Sequence, residues 1–322
     1  EQAYIKAFNT RAGAMFGSAI SISGDGLRLA VGAPNETSGA TGVGGDQTST
    51  STSAAGAAYV FVSTGSAWSQ EAYVKASVSA TTSDLFGTAV SLDQTGALLA
   101  VGAPTGTSTG FVDTYTRGGT TWTPQTKLTA AGGVNLDRFG DAVSISDNAT
   151  TLAVGAPGAN GSKGTVYVYT GATWGTVLSV TATSGAINDE FGSAVSLNED
   201  GTKLAVGAPV ETGDTKGVGS TDSNVGASAG AAYLFTFDSG SSSWSQKNYI
   251  KASNTGAGDQ FGFSVSLSDH SYTSTVSKTD LDLNDQGLVV GAPFEDSNLQ
   301  GVNSGSTAGN EDASAAGAAY VY

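Results

Sequence analysis

The 322-residue sequence predicts an all-β fold, a β-propeller of five four-stranded antiparallel blades forming a single domain over 1–322. Three observations predict it. A Phe-Gly pair followed by an alternating apolar run occurs at Phe16-Gly17, Phe86-Gly87, Phe139-Gly140, Phe191-Gly192 and Phe261-Gly262. Gly-Ala-Pro follows at Gly32, Gly102, Gly155, Gly207 and Gly291, and takes all but one of the 6 prolines. The Phe-to-Gly spacing is constant in the first four copies, and the fifth carries an insertion between the two motifs.

Each copy reads as four strands. Strand A is the run after Phe-Gly, as in Ser18 to Ile22, with apolar residues at every second position. Ser23-Gly24-Asp25-Gly26 then supplies hairpin chemistry. Strand B is Leu29-Ala30-Val31, and Pro34 ends it by removing a ladder donor. Strand C is Ala57 to Phe61, and recurs at Thr165 to Tyr169, Ala231 to Phe235 and Ala318 to Tyr322. A Gly-containing turn leads to Trp68, Trp122, Trp174 or Trp244, and strand D follows, as in Tyr73 to Ala76 and Tyr249 to Ala252. One such unit cannot cover its own sheet faces, and stacking on its neighbours does. The expected blades are 16–76, 86–130, 139–182, 191–252 and 261–322.

The ends carry a further expectation. Residues 1–7 read as a strand D, and Gly317 to Tyr322 as a strand C. The ring is therefore expected to close with the N-terminal strand D joining strands A to C of blade five. A larger ring or an open array is the alternative.

Composition narrows the function. Hydrophobic residues make up 39% and charged residues 13%, with 46 Gly, which suits many short strands and turns. The net charge is −15, a surface that repels phosphate backbones and anionic lipid heads, so no nucleic acid partner is expected. There is no Cys, which excludes disulfides, thiolate metal sites and Cys nucleophiles. No apolar run is long enough to span a bilayer, so no membrane insertion is expected. The expected location is secreted or cell-surface.

The in-register Phe-Gly, Leu-Ala-Val-Gly-Ala-Pro and Gly-Ala-Ala-Tyr-Val-Phe motifs resemble the FG-GAP repeat, best known from the propeller of integrin α subunits and common in bacterial surface proteins. The likeness covers nearly the whole chain. It implies a propeller, ligand contact through B–C and D–A loops, and often a Ca²⁺ loop between strands A and B. Here the A–B turn is short in four copies and lacks those ligands. Only the fifth carries Asp280-Leu281-Asp282-Leu283-Asn284-Asp285, at a shifted spacing. Copy two also departs from the pattern, with Asp113 where copy one has Tyr59.

Candidate sites follow from these features. Asp280, Asp282, Asn284 and Asp285 alternate oxygen ligands and are the best Ca²⁺ candidate. Glu36, Glu211 and Glu295 each follow Gly-Ala-Pro by two residues and open the long loops 35–55, 210–229 and 294–316. Those loops also hold Asp46, Asp214, Asp222, Asp296, Glu311 and Asp312, so each is a second Ca²⁺ candidate or a solvated acidic loop. Asp84, Asp137, Asp189 and Asp259 precede Phe-Gly by two positions and read as turn caps, with a ligand role as the alternative. His270 is the only His and reads as a solvated loop residue; no Gly-x-Ser-x-Gly elbow accompanies it. Asp141 is the one acid expected beside the axis. Asn35, Asn148 and Asn160 open sequons, which this Ser/Thr-rich sequence produces by chance. The expected function is a non-enzymatic binding or adhesion module for an extracellular protein or glycan. The alternative is a self-assembling subunit of a filament, sheath or surface layer.

Overall fold

The structure, a computed structural model, describes residues 3–78, 81–106, 109–219, 227–268, 287–297 and 314–322. It is an all-β propeller of five antiparallel blades. Blade one is β1 (Ile20–Ile22), β2 (Arg28–Ala33), β3 (Ala57–Ser63) and β4 (Trp68–Val74). Blade two is β5 (Ala89–Leu92), β6 (Leu98–Ala103), β7 (Phe111–Gly118) and β8 (Thr121–Leu128). Blade three is β9 (Ala142–Ile145), β10 (Thr151–Ala156), β11 (Thr165–Thr170) and β12 (Thr176–Val180). Blade four is β13 (Ala194–Leu197), β14 (Lys203–Ala208), β15 (Ala231–Asp238) and β16 (Ser243–Ile250). Blade five is β17 (Ser264–Leu267), β18 (Leu288–Ala292) and β19 (Ala318–Val321). Every sheet runs in chain order, so each is a meander. Trp68, Trp122 and Trp244 lie inside strand D and not ahead of it.

Short polar side chains close the A–B turns. The Leu27 amide donates to Asp25 Oδ1 at 2.9 Å, Thr150 to Asn148 Oδ1 at 3.0 Å and Thr202 to Asp200 Oδ1 at 2.9 Å. In blades one, three, four and five the Phe of Phe-Gly is set edge-on against an aromatic of strand C, as in Phe16–Tyr59 at 5.4 Å and Phe191–Tyr233 at 5.3 Å, and in blade two Phe86 and Phe111 are tilted at 6.3 Å.

The step from blade to blade is set by glycine. A Cβ on Gly32 would stand 2.0 Å from the Gly87 carbonyl oxygen, and Gly102, Gly155 and Gly207 meet Gly140, Gly192 and Gly262 in the same way. Only Gly permits that approach, so the two motifs of the repeat are two halves of one contact. A serine of strand A reinforces it. Ser21, Ser91, Ser144 and Ser196 accept the amides of Leu92, Ile145, Leu197 and Leu267 in the next blade, at 2.9 to 3.0 Å. The apolar core is accordingly a series of layers between adjacent blades.

The expected closing pair is not formed among the described residues. Residues 3–7 are in no strand, and blade five has three strands among the described residues. Ile5 and Ala7 instead pack on Tyr59, Phe61 and Tyr73 of blade one. The physical reason lies in the blade-to-blade step: the space beside Gly17 is open, and Gly291 meets only Ser264 of its own blade. Among the described residues, the contact that joins the other neighbours is not seen between blades five and one.

Candidate functional site on the B–C loop face

A four-stranded meander puts its A–B and C–D turns at one end and its B–C and D–A connections at the other. The long loops 35–55, 210–229 and 294–316 therefore share a face with the turns that precede Phe-Gly. Blades two and three make the same B–C connection briefly, from Pro104 to Gly110 and from Pro157 to Gly164. Of the long loops, 35–55 is described throughout, while 220–226 and 298–313 lie outside the described residues.

Glu36 roots the first loop. Its carboxylate is buried and accepts the Lys75 ammonium at 2.8 Å, the Tyr73 hydroxyl at 2.9 Å and the Ser38 amide at 3.0 Å. Asn9 Nδ2 donates to its other oxygen at 3.1 Å, and Arg11 Nη1 stands 3.5 Å from it. Burial lowers the Lys75 pKa, against the attraction of Glu36, and burial raises the Tyr73 phenol, which stays protonated as a donor. Asn9 and Arg11 then reach outward. Asn9 donates to the Gln47 carbonyl at 2.9 Å, and Arg11 donates to Gln47, Ser49 and Thr37 Oγ1 at 2.6 to 2.8 Å. A buried ion pair thus fixes the base of the loop, and a guanidinium fixes its crown.

Blade four repeats the base. Glu211 accepts Lys251 Nζ at 2.7 Å, the Tyr249 hydroxyl at 3.0 Å and the Gly213 amide at 2.6 Å, and both charged side chains are buried. Blade five repeats half of it. Glu295 is buried, and accepts Asn254 Nδ2 at 2.5 Å, with the amide and hydroxyl of Ser297 at 3.1 and 3.2 Å. Tyr320 donates to Asn254 Oδ1 at 2.6 Å, as Tyr59 does to Asn9 Oδ1 at 2.7 Å. No ion pair reaches Glu295 among the described residues.

These surroundings test the Ca²⁺ expectation at two positions. Ammonium, phenol and amide donors meet Glu36 and Glu211, which is a setting for an anion, and they supply no oxygen acceptors to complete a Ca²⁺ shell. Those residues do not fit the ion. Among the described residues no three His, Asp or Glu side chains converge to hold a metal. Asp280, Asp282, Asn284 and Asp285 lie outside the described residues, as do His270, Asp222, Glu311 and Asp312. Asp46 is exposed and caps Thr48, whose amide and hydroxyl lower its pKa. Asp214 and Asp296 are in the described parts of loops four and five.

The repeated Asp before Phe-Gly is a turn cap. Asp84, Asp137, Asp189 and Asp259 each accept the amide three residues earlier, at 2.6 to 2.8 Å. Asp113 is buried beside the same linkers. It accepts the Ser77 amide at 2.7 Å, and desolvation raises its pKa. Asp141 pairs with Arg138 at 2.6 Å. On the opposite face, a groove of about 630 Å³ between blades two and three is lined by Asp93, Arg117, Asp147, Asn148 and Trp174. Its Arg117 is already paired with Glu71 at 2.7 Å.

The reading of single motifs missed Tyr73, Lys75, Tyr249, Lys251, Asn9 and Arg11. A signal for them was present. Glu after Gly-Ala-Pro and Tyr-x-Lys-Ala at the end of strand D occur together in copies one and four, and neither occurs in copies two and three.

The sequence profile of the FG-GAP repeat matches residues 1–61, 122–169 and 174–235, more than half of the chain. No curated protein matches it. Two solved structures resemble it in fold. One is a crystal structure of a protein from Lactobacillus plantarum, with 10% identity over 85% of this chain and 63% of that one, and a TM-score of 0.49. The other is hydrazine synthase of Kuenenia stuttgartiensis, with 12% identity over 85% of this chain and 61% of that one, and a TM-score of 0.48. The chain spans less than two thirds of either structure, and neither likeness bears on function.

Proposed function

This chain belongs to the FG-GAP repeat family, and from that premise we propose that it is a non-enzymatic extracellular binding module. Its ligand, a glycan or a protein, is met by the long loops of the B–C face. One observation carries the reading. Loop 35–55 is rooted by the buried Glu36–Lys75 pair and held along its length by Asn9 and Arg11, so a long polar loop stands preorganised on a rigid scaffold. Blades two and three hold no such loop, and the face is therefore one-sided. Secretion or display at a cell surface belongs to this proposal. Bound Ca²⁺ also belongs to it, through the Asp280 to Asp285 segment. Among the described residues, no helix is long and apolar enough to cross a membrane.

The test is loop shortening. Trimming 35–55, 210–229 and 294–316 beyond their rooted glutamates is expected to abolish binding on a glycan or protein array while leaving the melting temperature near its original value. Unchanged binding overturns the proposal.

A second reading, a structural subunit of an extracellular filament, sheath or surface layer, is favoured by a different observation: apolar residues are exposed on the outward faces of blades one and five. Light scattering of the purified chain separates the two. The binding module stays monomeric across concentrations, and the structural subunit assembles.

A further inference from the structure

The root of loop 35–55 brings an amine, a carboxyl group and a carboxamide together. Lys75 Nζ donates to Glu36 Oε2 at 2.8 Å, and Asn9 Nδ2 donates to Glu36 Oε1 at 3.1 Å. One carboxylate therefore bridges a primary amine and a primary amide. The other contacts of Asn9 hold its amide in a single orientation. Nδ2 also donates to the Gln47 carbonyl at 2.9 Å, and Oδ1 accepts the Tyr59 hydroxyl at 2.7 Å. The amide carbon is thus presented with a donor on its oxygen and acceptors on its nitrogen.

The setting excludes water. Lys75 and Glu36 are 0% and 1% exposed, and Tyr59 and Tyr73 are buried beside them. The two phenol rings pack at 5.3 Å, and Phe16 stands edge-on to Tyr59 at 5.4 Å. Burial lowers the Lys75 pKa, against the attraction of Glu36, which moves the amine toward its neutral, nucleophilic form. The Tyr73 hydroxyl donates to the oxygen that faces Lys75, and Arg11 stands 3.5 Å from the oxygen that faces Asn9. Blade four has the ion pair without the amide: Glu211 meets Lys251 and Tyr249, and no asparagine side chain donates to it among the described residues.

We propose that Lys75 and Asn9 are joined by an isopeptide bond, formed within the folded chain with Glu36 as its acid–base catalyst. Glu36 takes a proton from the Lys75 ammonium, and the freed amine attacks Asn9 Cγ. A C–N bond forms, and the charge that develops on Oδ1 meets the Tyr59 hydroxyl already aimed at it. The carboxyl passes its proton to Nδ2, and the Cγ–Nδ2 bond breaks. The attacking nitrogen then gives up a second proton through Glu36, and the departing group leaves as ammonium. Nothing is oxidised or reduced, and no co-reactant is needed. Holding the groups in contact supplies the rate, because the step is unimolecular in the folded chain. The bond ties the segment that enters blade one to the end of β4, in a chain that has no Cys for a disulfide. It makes the root of the loop permanent.

Mass spectrometry of the purified 322-residue chain, intact and after trypsin, tests it with Asn9→Ala and Glu36→Gln variants. Asn9 is half-buried and Glu36→Gln is isosteric, so both variants are expected to fold, which circular dichroism verifies. The parent is expected to be lighter than its sequence by one ammonia. Trypsin is expected to leave residues 7–11 joined to residues 29–117, with no cleavage after Lys75. Both variants are expected at their full sequence mass, with cleavage after Lys75 restored. A folded parent at full sequence mass overturns the proposal, whatever the variants do. An ammonia loss that maps to another residue, such as a succinimide at Asn160-Gly161, overturns it as well. A link that persists in Glu36→Gln overturns the role of Glu36. None of these failures touches the binding reading, because the ion pair roots the loop with or without the bond.

Discussion

Blades four and five carry the same buried glutamate and finish it differently. In blade four, strand D brings Lys251 to 2.7 Å from Glu211 and Tyr249 to 3.0 Å. In blade five, Glu295 meets, among the described residues, the Asn254 amide and the Ser297 amide and hydroxyl. The difference teaches that the fourth strand is more than a sheet edge, since it supplies the counter-charge that makes a buried carboxylate tolerable.

The largest expected effect breaks the finished blade. Lys251→Met strands Glu211 without a cation, at a cost of about 3–5 kcal/mol in urea unfolding. Glu295→Ala is expected to cost well under half of that, because among the described residues no buried lysine pairs with it. Equal costs would mean that the two glutamates sit in equivalent surroundings.

Calcium sharpens the comparison from the other side. If the Asp280 to Asp285 segment of blade five holds the ion, the native chain gains about 2.7 kcal/mol at a hundred times the dissociation constant. Melting curves in Ca²⁺ and in EDTA then differ, and replacing Asp280 and Asp282 with Asn removes the difference. Identical midpoints with no calorimetric heat would leave these acids as solvated loop residues.

The glycine step distinguishes the same two blades. Gly207→Ala drives a Cβ to 1.9 Å from the Gly262 carbonyl oxygen, and is expected to cost about 1–3 kcal/mol. Gly291→Ala meets the Ser264 hydroxyl, a side-chain atom that can move, and is expected to cost less than about 1 kcal/mol in the monomer. Chemical denaturation of both variants checks the ordering.

The smallest effect is one of pH. Burial raises the pKa of Asp259; the Gly256 amide opposes the shift, while Glu295 and Asp296 add to it. The folded chain therefore holds this proton more tightly than the unfolded chain. The stability this contributes is full below the ordinary carboxylate range and is lost as pH rises through the raised value. Asp259→Asn is expected to flatten that part of the stability profile. A difference curve between parent and variant that does not slope downward with rising pH would contradict the assignment.

Much of this was legible beforehand. Phe-Gly and Gly-Ala-Pro located the blades and strands A to C, because each motif answers a local need: a tight entry to strand A and a Gly at the point of closest approach. Asp84, Asp137, Asp189 and Asp259 were legible as turn caps for the same reason, since donor and acceptor lie three residues apart. Glu36 and Glu211 were found but assigned to the wrong chemistry, as candidate cation ligands. Their partners Lys75 and Lys251 lie one long loop and two strands away, and only the pairing of glutamate with lysine across copies hinted at them.

By itself the sequence determined the repeat, the order of strands, the one-sided loops and the acidic surface, all of which follow from local periodicity and composition. The tertiary structure decided which charges meet and which faces remain uncovered. A counter-ion is chosen by the packing of strand D against the B–C loop. A covered face is chosen by whether four glycine-set steps bring the last blade back to the first, and both depend on distances that sequence spacing does not contain.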